Sequence, residues 1–132
     1  MKTKEIEICG KKVTLSYCYA TEIGYKMLTG EEIHSFMQEC FLALNDKPVR
    51  MPDVQKCVCL IVSSIMAYYE SKDIEPDKVP VTDKTLMYDA RPEELGTALG
   101  VVLGLRGQFY AVPTGEPEDK PDGKAAKKRK NA

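Results

Sequence analysis

Apolar and polar residues alternate at the start of the chain. Ile6 and Ile8 are interleaved with Glu5 and Glu7, and Val13 and Leu15 with Thr14 and Ser16. A period of two implies two half-buried strands. Gly10 and Lys11 lie between them, and glycine at the first position suits the positive φ of a two-residue type II′ turn. This turn sets Cys9 opposite Lys12, Ile8 opposite Val13, Glu7 opposite Thr14 and Ile6 opposite Leu15. All four aliphatic residues then share one face, and a slip of one residue would scatter them. A lone hairpin is marginal in water, so its apolar face requires a helical cover.

Beyond the hairpin the period lengthens. Ala20–Leu28 reads as a short helix closed by Gly30, and Thr29 with Glu32 forms a capping box for the next helix. That helix carries Ile33, Phe36, Met37, Cys40, Phe41 and Leu44 on one stripe, with Ser35, Gln38, Glu39 and Asn45 on its other face. The segment from Asn45 to Pro48 breaks it, and Pro52 suits the first position of a third helix. From Val54 to Tyr69 this helix is apolar on most sides, which predicts a central position. A polar linker from Ser71 to Val81 follows. Thr82 then caps a short helix through Tyr88, and Pro92 with Glu93 and Glu94 opens the last helix.

The fold expected is α+β: an N-terminal β-hairpin packed on a mostly helical bundle of four to five helices, in one globular domain over residues 1–112. From Pro113 the apolar periodicity stops. Residues 113–132 run through an acidic, proline-containing stretch into Lys124-Ala125-Ala126-Lys127-Lys128-Arg129-Lys130. Too little apolar surface is present there to offset the entropy of ordering, so a disordered charged tail is expected.

Composition narrows the class. At 132 residues the chain is one domain plus a tail, and 43% hydrophobic residues suffice for a core. A net charge of −1 gives no global attraction to nucleic acid or acidic membranes. Five scattered cysteines and an opening without a secretory signal point to reduced thiols in the cytoplasm. The apolar run of the third helix is shorter than the ~20 residues needed to span a bilayer.

No catalytic, cofactor or metal site is expected. His34 is the single histidine and has no nucleophile or metal-ligand partner at a sensible spacing. Cys57 and Cys59, two apart on a helix, would point ~200° from one another, and no second pair completes a tetrahedral site. Both read as small buried hydrophobes. Gly96, Gly100 and Gly104 recur every fourth residue on the last helix. Each costs ~1 kcal/mol against alanine inside a helix, so a packing reason is expected. Close packing within the chain, on the Val54–Tyr69 helix, and a self-association or partner surface are both open. So is a segment that is not regular helix, with Gln108–Val112 extended. Lys124, Lys127, Lys128, Arg129 and Lys130 offer electrostatic contacts, but they lack interleaved aromatics and follow an acidic stretch. Tyr17, Tyr19 and Tyr25 lie at the strand-to-helix handover, where they fit core-boundary packing or an adhesive patch.

The opening third resembles the tail assembly chaperones of long-tailed phages and prophages. The resemblance is carried by Ile8-Cys9-Gly10-Lys11-Lys12-Val13-Thr14-Leu15-Ser16-Tyr17 and then Met27-Leu28-Thr29-Gly30. That family opens with a glycine-lysine hairpin ending near tyrosine, then a helix closing in a leucine–glycine break. The Val54–Tyr69 helix and the glycine series are not family hallmarks. The resemblance implies a non-enzymatic protein of the bacterial host cytoplasm, without cofactor or membrane. It would bind the tape measure protein and help tail tube subunits polymerise around it. Members are often made in two lengths through a ribosomal frameshift, and the Lys127–Lys130 codons are compatible with a slippery site. The alternative function is a small nucleic-acid-associated accessory protein acting through the basic tail.

Overall fold

In the computed structural model, which describes residues 1–111, β1 (Lys2–Ile8) and β2 (Lys11–Tyr17) form a two-stranded antiparallel hairpin. The turn falls on Cys9 and Gly10, with φ of 54° and 73°, so it is type I′ and not the type II′ turn expected at Gly10-Lys11. The register moves with it: Ile8 faces Lys11, Glu7 faces Lys12, Ile6 faces Val13 and Glu5 faces Thr14. The shift is two residues relative to the expected pairing. A two-residue shift preserves face parity, so Ile6, Ile8, Val13 and Leu15 still share one side and Tyr17 joins them. The turn is held from outside as well. The Cys9 N–H donates to Glu94 Oε2 at 2.9 Å, while Glu94 Oε1 accepts the Arg91 N–H at 2.9 Å. These bonds hold the Glu94 carboxyl below its ordinary range.

Helix α1 (Tyr19–Thr29) ends on Gly30 in the left-handed region, with the Gly30 N–H bonded to Lys26 O. Thr29 closes this helix through its hydroxyl to Tyr25 O at 2.8 Å and does not cap the next one. Glu32 is the N-cap residue of α2 (Ile33–Leu44) and makes no side-chain cap, so the expected Thr29–Glu32 capping box is absent. The buried face of α2 is Ile33, Phe36, Cys40 and Ala43. Phe41 and Leu44, assigned to the apolar stripe, are exposed, with Leu42 between them. The stripe is therefore narrower than the sequence pattern, because only one side of α2 meets the body.

Helix α3 (Val54–Ser71) starts two residues after Pro52. Asp53 is its N-cap and accepts the Lys56 N–H at 3.0 Å. Pro52 is thus outside the helix, one residue before the cap. As expected, α3 is central: Cys57, Val58, Leu60, Ile61, Ser63, Ser64, Ile65 and Ala67 are buried along it. It packs on α1, on β2 and on α5. Against α1 it leaves little room at Gly24, where a Cβ would sit 3.3 Å from Ser63 Oγ.

The linker holds one 3-10 turn, Pro76–Lys78, and tucks Val79 and Val81 into the core. The capping box of Thr82 with Thr85 opens α4 (Asp83–Asp89). Helix α5 (Pro92–Tyr110) crosses both strands and buries Leu95, Ala98, Leu99, Val102 and Leu105. It is helical through Tyr110, so Gln108–Tyr110 is not extended. At its far end, the Tyr17 hydroxyl donates to Glu22 Oε2 at 2.8 Å and the Tyr110 hydroxyl donates to the same oxygen.

The fold is α+β, a hairpin followed by five helices around one cluster of buried side chains. No helix among the described residues is long and apolar enough to cross a membrane. The expected disordered tail, residues 113–132, lies outside the described residues.

Candidate functional site

An apolar groove of about 1090 Å³ has α3 as its floor. Val54, Val58, Cys59 and Val62 supply that floor because α3 is apolar on more sides than the body covers. One wall is Leu28, at the C-terminal end of α1. The other is Leu86, Met87 and Ala90 of α4 and the segment after it, continued by Pro92 and Leu95. Met51 lines it from the loop before α3. The groove stays open because α4, the element lying over α3 here, is only seven residues long. Its rim leaves Met87 64%, Val54 53% and Leu28 56% exposed.

Only Gln55 and Asp83 among the lining residues are polar. Asp83 forms no ion pair among the described residues, and Lys84 beside it in sequence does not line the groove. Lys56, the cation nearest in sequence to the floor, is turned toward Glu31 at 3.2 Å and Glu39 at 3.5 Å. The local field on the floor is therefore negative. The Cys59 thiol is raised above its ordinary value first by burial and then by the Asp83 and Asp53 carboxylates. Such a surface can bind a complementary apolar segment.

The glycines lie elsewhere. Among the described residues a Cβ at Gly96, Gly100 or Gly104 would meet nothing within 4 Å, so these glycines are not packed closely on α3. Helix α5 turns Leu95, Ala98, Leu99, Val102 and Leu105 inward, which leaves the glycine row on the outside. Gly96 and Gly100 border a smaller apolar cavity of about 320 Å³, with Leu44 and Val49 across from them. Gly104 lies one turn further along and outside it. Lys124, Lys127, Lys128, Arg129 and Lys130 lie outside the described residues.

Of the tyrosines, Tyr17 and Tyr25 are core, and Tyr25 stacks on Phe36 at 5.7 Å; Tyr19 is exposed and meets Phe109 edge-on. His34 is exposed, with Gln38 at 3.5 Å. Burial pushes the Cys57 thiol up to about 12 and the Cys40 thiol up to about 11. Among the described residues no group of three or more His, Cys, Asp or Glu could hold a metal ion.

Sequence reasoning missed the groove. Its signal was present in two facts read separately: α3 is apolar nearly all round, and the helix after the linker is short. No family model matches the chain, and no curated protein and no solved structure matches it.

Proposed function

We propose that this chain is a tail assembly chaperone of a long-tailed phage or prophage, working without catalysis by holding apolar helical segments of a tape measure protein. The observation that carries the reading is the α3 groove. It is broad and apolar, with Met87 on its rim and Met51 in its lining, and it is built on the central helix. An amphipathic helix laid into such a groove is one of the recurring ways proteins recognise partner segments. Methionine rims adapt to varied apolar side chains, which suits a partner that repeats its pattern with changing residues. The opening hairpin and its leucine–glycine helix break supply the family resemblance. The groove supplies a means of keeping an aggregation-prone helical protein in solution.

The test is co-expression with the tape measure protein encoded in the same phage or prophage. The expected result is that the two co-purify and that the tape measure protein moves from the insoluble to the soluble fraction. An unchanged soluble fraction and no association would overturn the reading.

A further inference from the structure

We propose that the α3 groove takes an amphipathic helix bearing a lysine or arginine beside its apolar stripe, placed to face Asp83. This rests on the reading of the groove as the partner site and specifies the chemistry of the partner.

Length sets the number of anchors. The floor runs from Val54 to Val62, nine residues and eight helical steps, which at the helical rise is ~12 Å. Two turns of an occupant cover that distance, so three apolar side chains at i, i+4 and i+7 fill it. Charge sets the flank. Asp83 is the one acidic side chain on the lining and has no ion-pair partner among the described residues, Lys56 is engaged by Glu31 and Glu39, and Asp53 lies at the start of the floor helix. The rise of the Cys59 thiol under Asp83 and Asp53, with no cation opposing them, reports the same negative field.

Other occupants fit less well. Residues 112–132 of this chain are basic at the end but contain a single large aliphatic side chain, Val112, and cannot fill three apolar positions. A second copy offers two exposed helical faces. The α2 face of Phe41, Leu42 and Leu44 lies on a helix with no lysine or arginine. The α1 stripe of Tyr19, Ile23 and Met27 has Lys26 beside it, but that side chain is paired with Glu32 at 2.8 Å. Residues 1–111 as a whole carry 16 acidic and 13 basic side chains, so like copies repel weakly.

The test uses the full chain and two dye-labelled synthetic helical peptides, followed by fluorescence anisotropy. Both carry leucine at i, i+4 and i+7; one has arginine beside the stripe and its twin has glutamate. The arginine peptide is expected to bind, and the twin to bind about five- to tenfold more weakly, because attraction at a half-open site is exchanged for repulsion. Asp83→Lys should reverse the preference. Asp83 opens α4, so its melting temperature is measured alongside. Met87→Glu, at an exposed rim position, leaves the core untouched and should abolish binding of both peptides.

Equal binding of the two peptides, no binding of either, or indifference to Met87→Glu would overturn the inference. The two readings fail separately. Co-purification of the tape measure protein with Met87→Glu unimpaired would remove the groove assignment and leave the chaperone. Peptide binding as described, without capture of the tape measure protein, would do the reverse.

Discussion

Replacing Ser64 by alanine removes one oxygen, yet it should be among the most damaging small substitutions in this protein. Strand β2 is the inner strand of a two-stranded sheet, and its outer edge has no third strand to pair with. Helix α3 takes that place. The Ser16 N–H donates to Ser64 Oγ at 2.9 Å, and the Ser64 hydroxyl donates to Ser16 O at 2.6 Å. One side chain thus satisfies both backbone groups of a residue with 0% exposure. In Ser64→Ala the Ser16 N–H has no partner and no water can reach it, which costs about 1–3 kcal/mol. The Ser16 carbonyl keeps a long bond from Thr21 Oγ1 at 3.4 Å, so its loss is partial. The total is about 2–3 kcal/mol, and at about 4 °C per kcal/mol for a domain of this size the melting temperature should fall by about 8–12 °C. Ser63→Ala is the control. Its hydroxyl bonds only to Cys59 O within α3, so a change within about 0.5 kcal/mol is expected. Tyr69→Phe should fall between the two, since Tyr69 Oη takes the Thr14 N–H at 3.3 Å where burial is incomplete. Urea unfolding followed by circular dichroism gives all three values, with equal slopes confirming a common unfolding reaction. If Ser64→Ala melts with the wild type, or with Ser63→Ala, the idea that α3 completes the edge of β2 is wrong.

The glycine row yields the opposite sign. Alanine at Gly96, Gly100 or Gly104 meets nothing among the described residues and should raise stability by about 0.5–1 kcal/mol each through helix propensity, checked by thermal melts; a lowered melting temperature would show that the row packs against something. The buried thiols make stability fall at alkaline pH. Cys40 and Cys57 are held protonated in the fold, so their contribution is complete below the ordinary thiol value of 9.0 and is lost as pH rises toward about 11 and about 12. Urea midpoints measured from pH 8 to pH 10 should decline, and Cys57→Ala should flatten the decline; an identical slope in that variant would contradict the assignment.

Much of this architecture was legible in the residues, and the failures have physical causes. Face parity in the hairpin was readable because Ile6, Ile8, Val13 and Leu15 leave only one sensible side. The turn was misplaced because a two-residue shift keeps that side intact, and because Cys9 tolerates a positive φ while its N–H bonds to Glu94, eighty-five residues away. No local rule could supply that partner. Caps with their own side-chain partners were read correctly, as at Thr82. Thr29 was misassigned because its hydroxyl could serve either the helix behind it or the one ahead, and Tyr25 O was nearer. The α2 stripe was overdrawn because periodicity counts apolar residues and cannot count what covers them.

Helix α3 has enough apolar surface to be packed on every side, yet among the described residues it packs chiefly on α1, β2, α5 and the short α4, with the 3-10 turn Pro76–Lys78 beside it. Extending α4 by one more turn would cover part of the floor and bury the Met87 rim, at a gain of about 1.5–3 kcal/mol for each large side chain enclosed. Leaving it uncovered forgoes that stability. A groove kept open at such a cost, beside one carboxylate that meets no cation among the described residues, is explained most simply by an occupant that supplies both the missing turns and the missing charge.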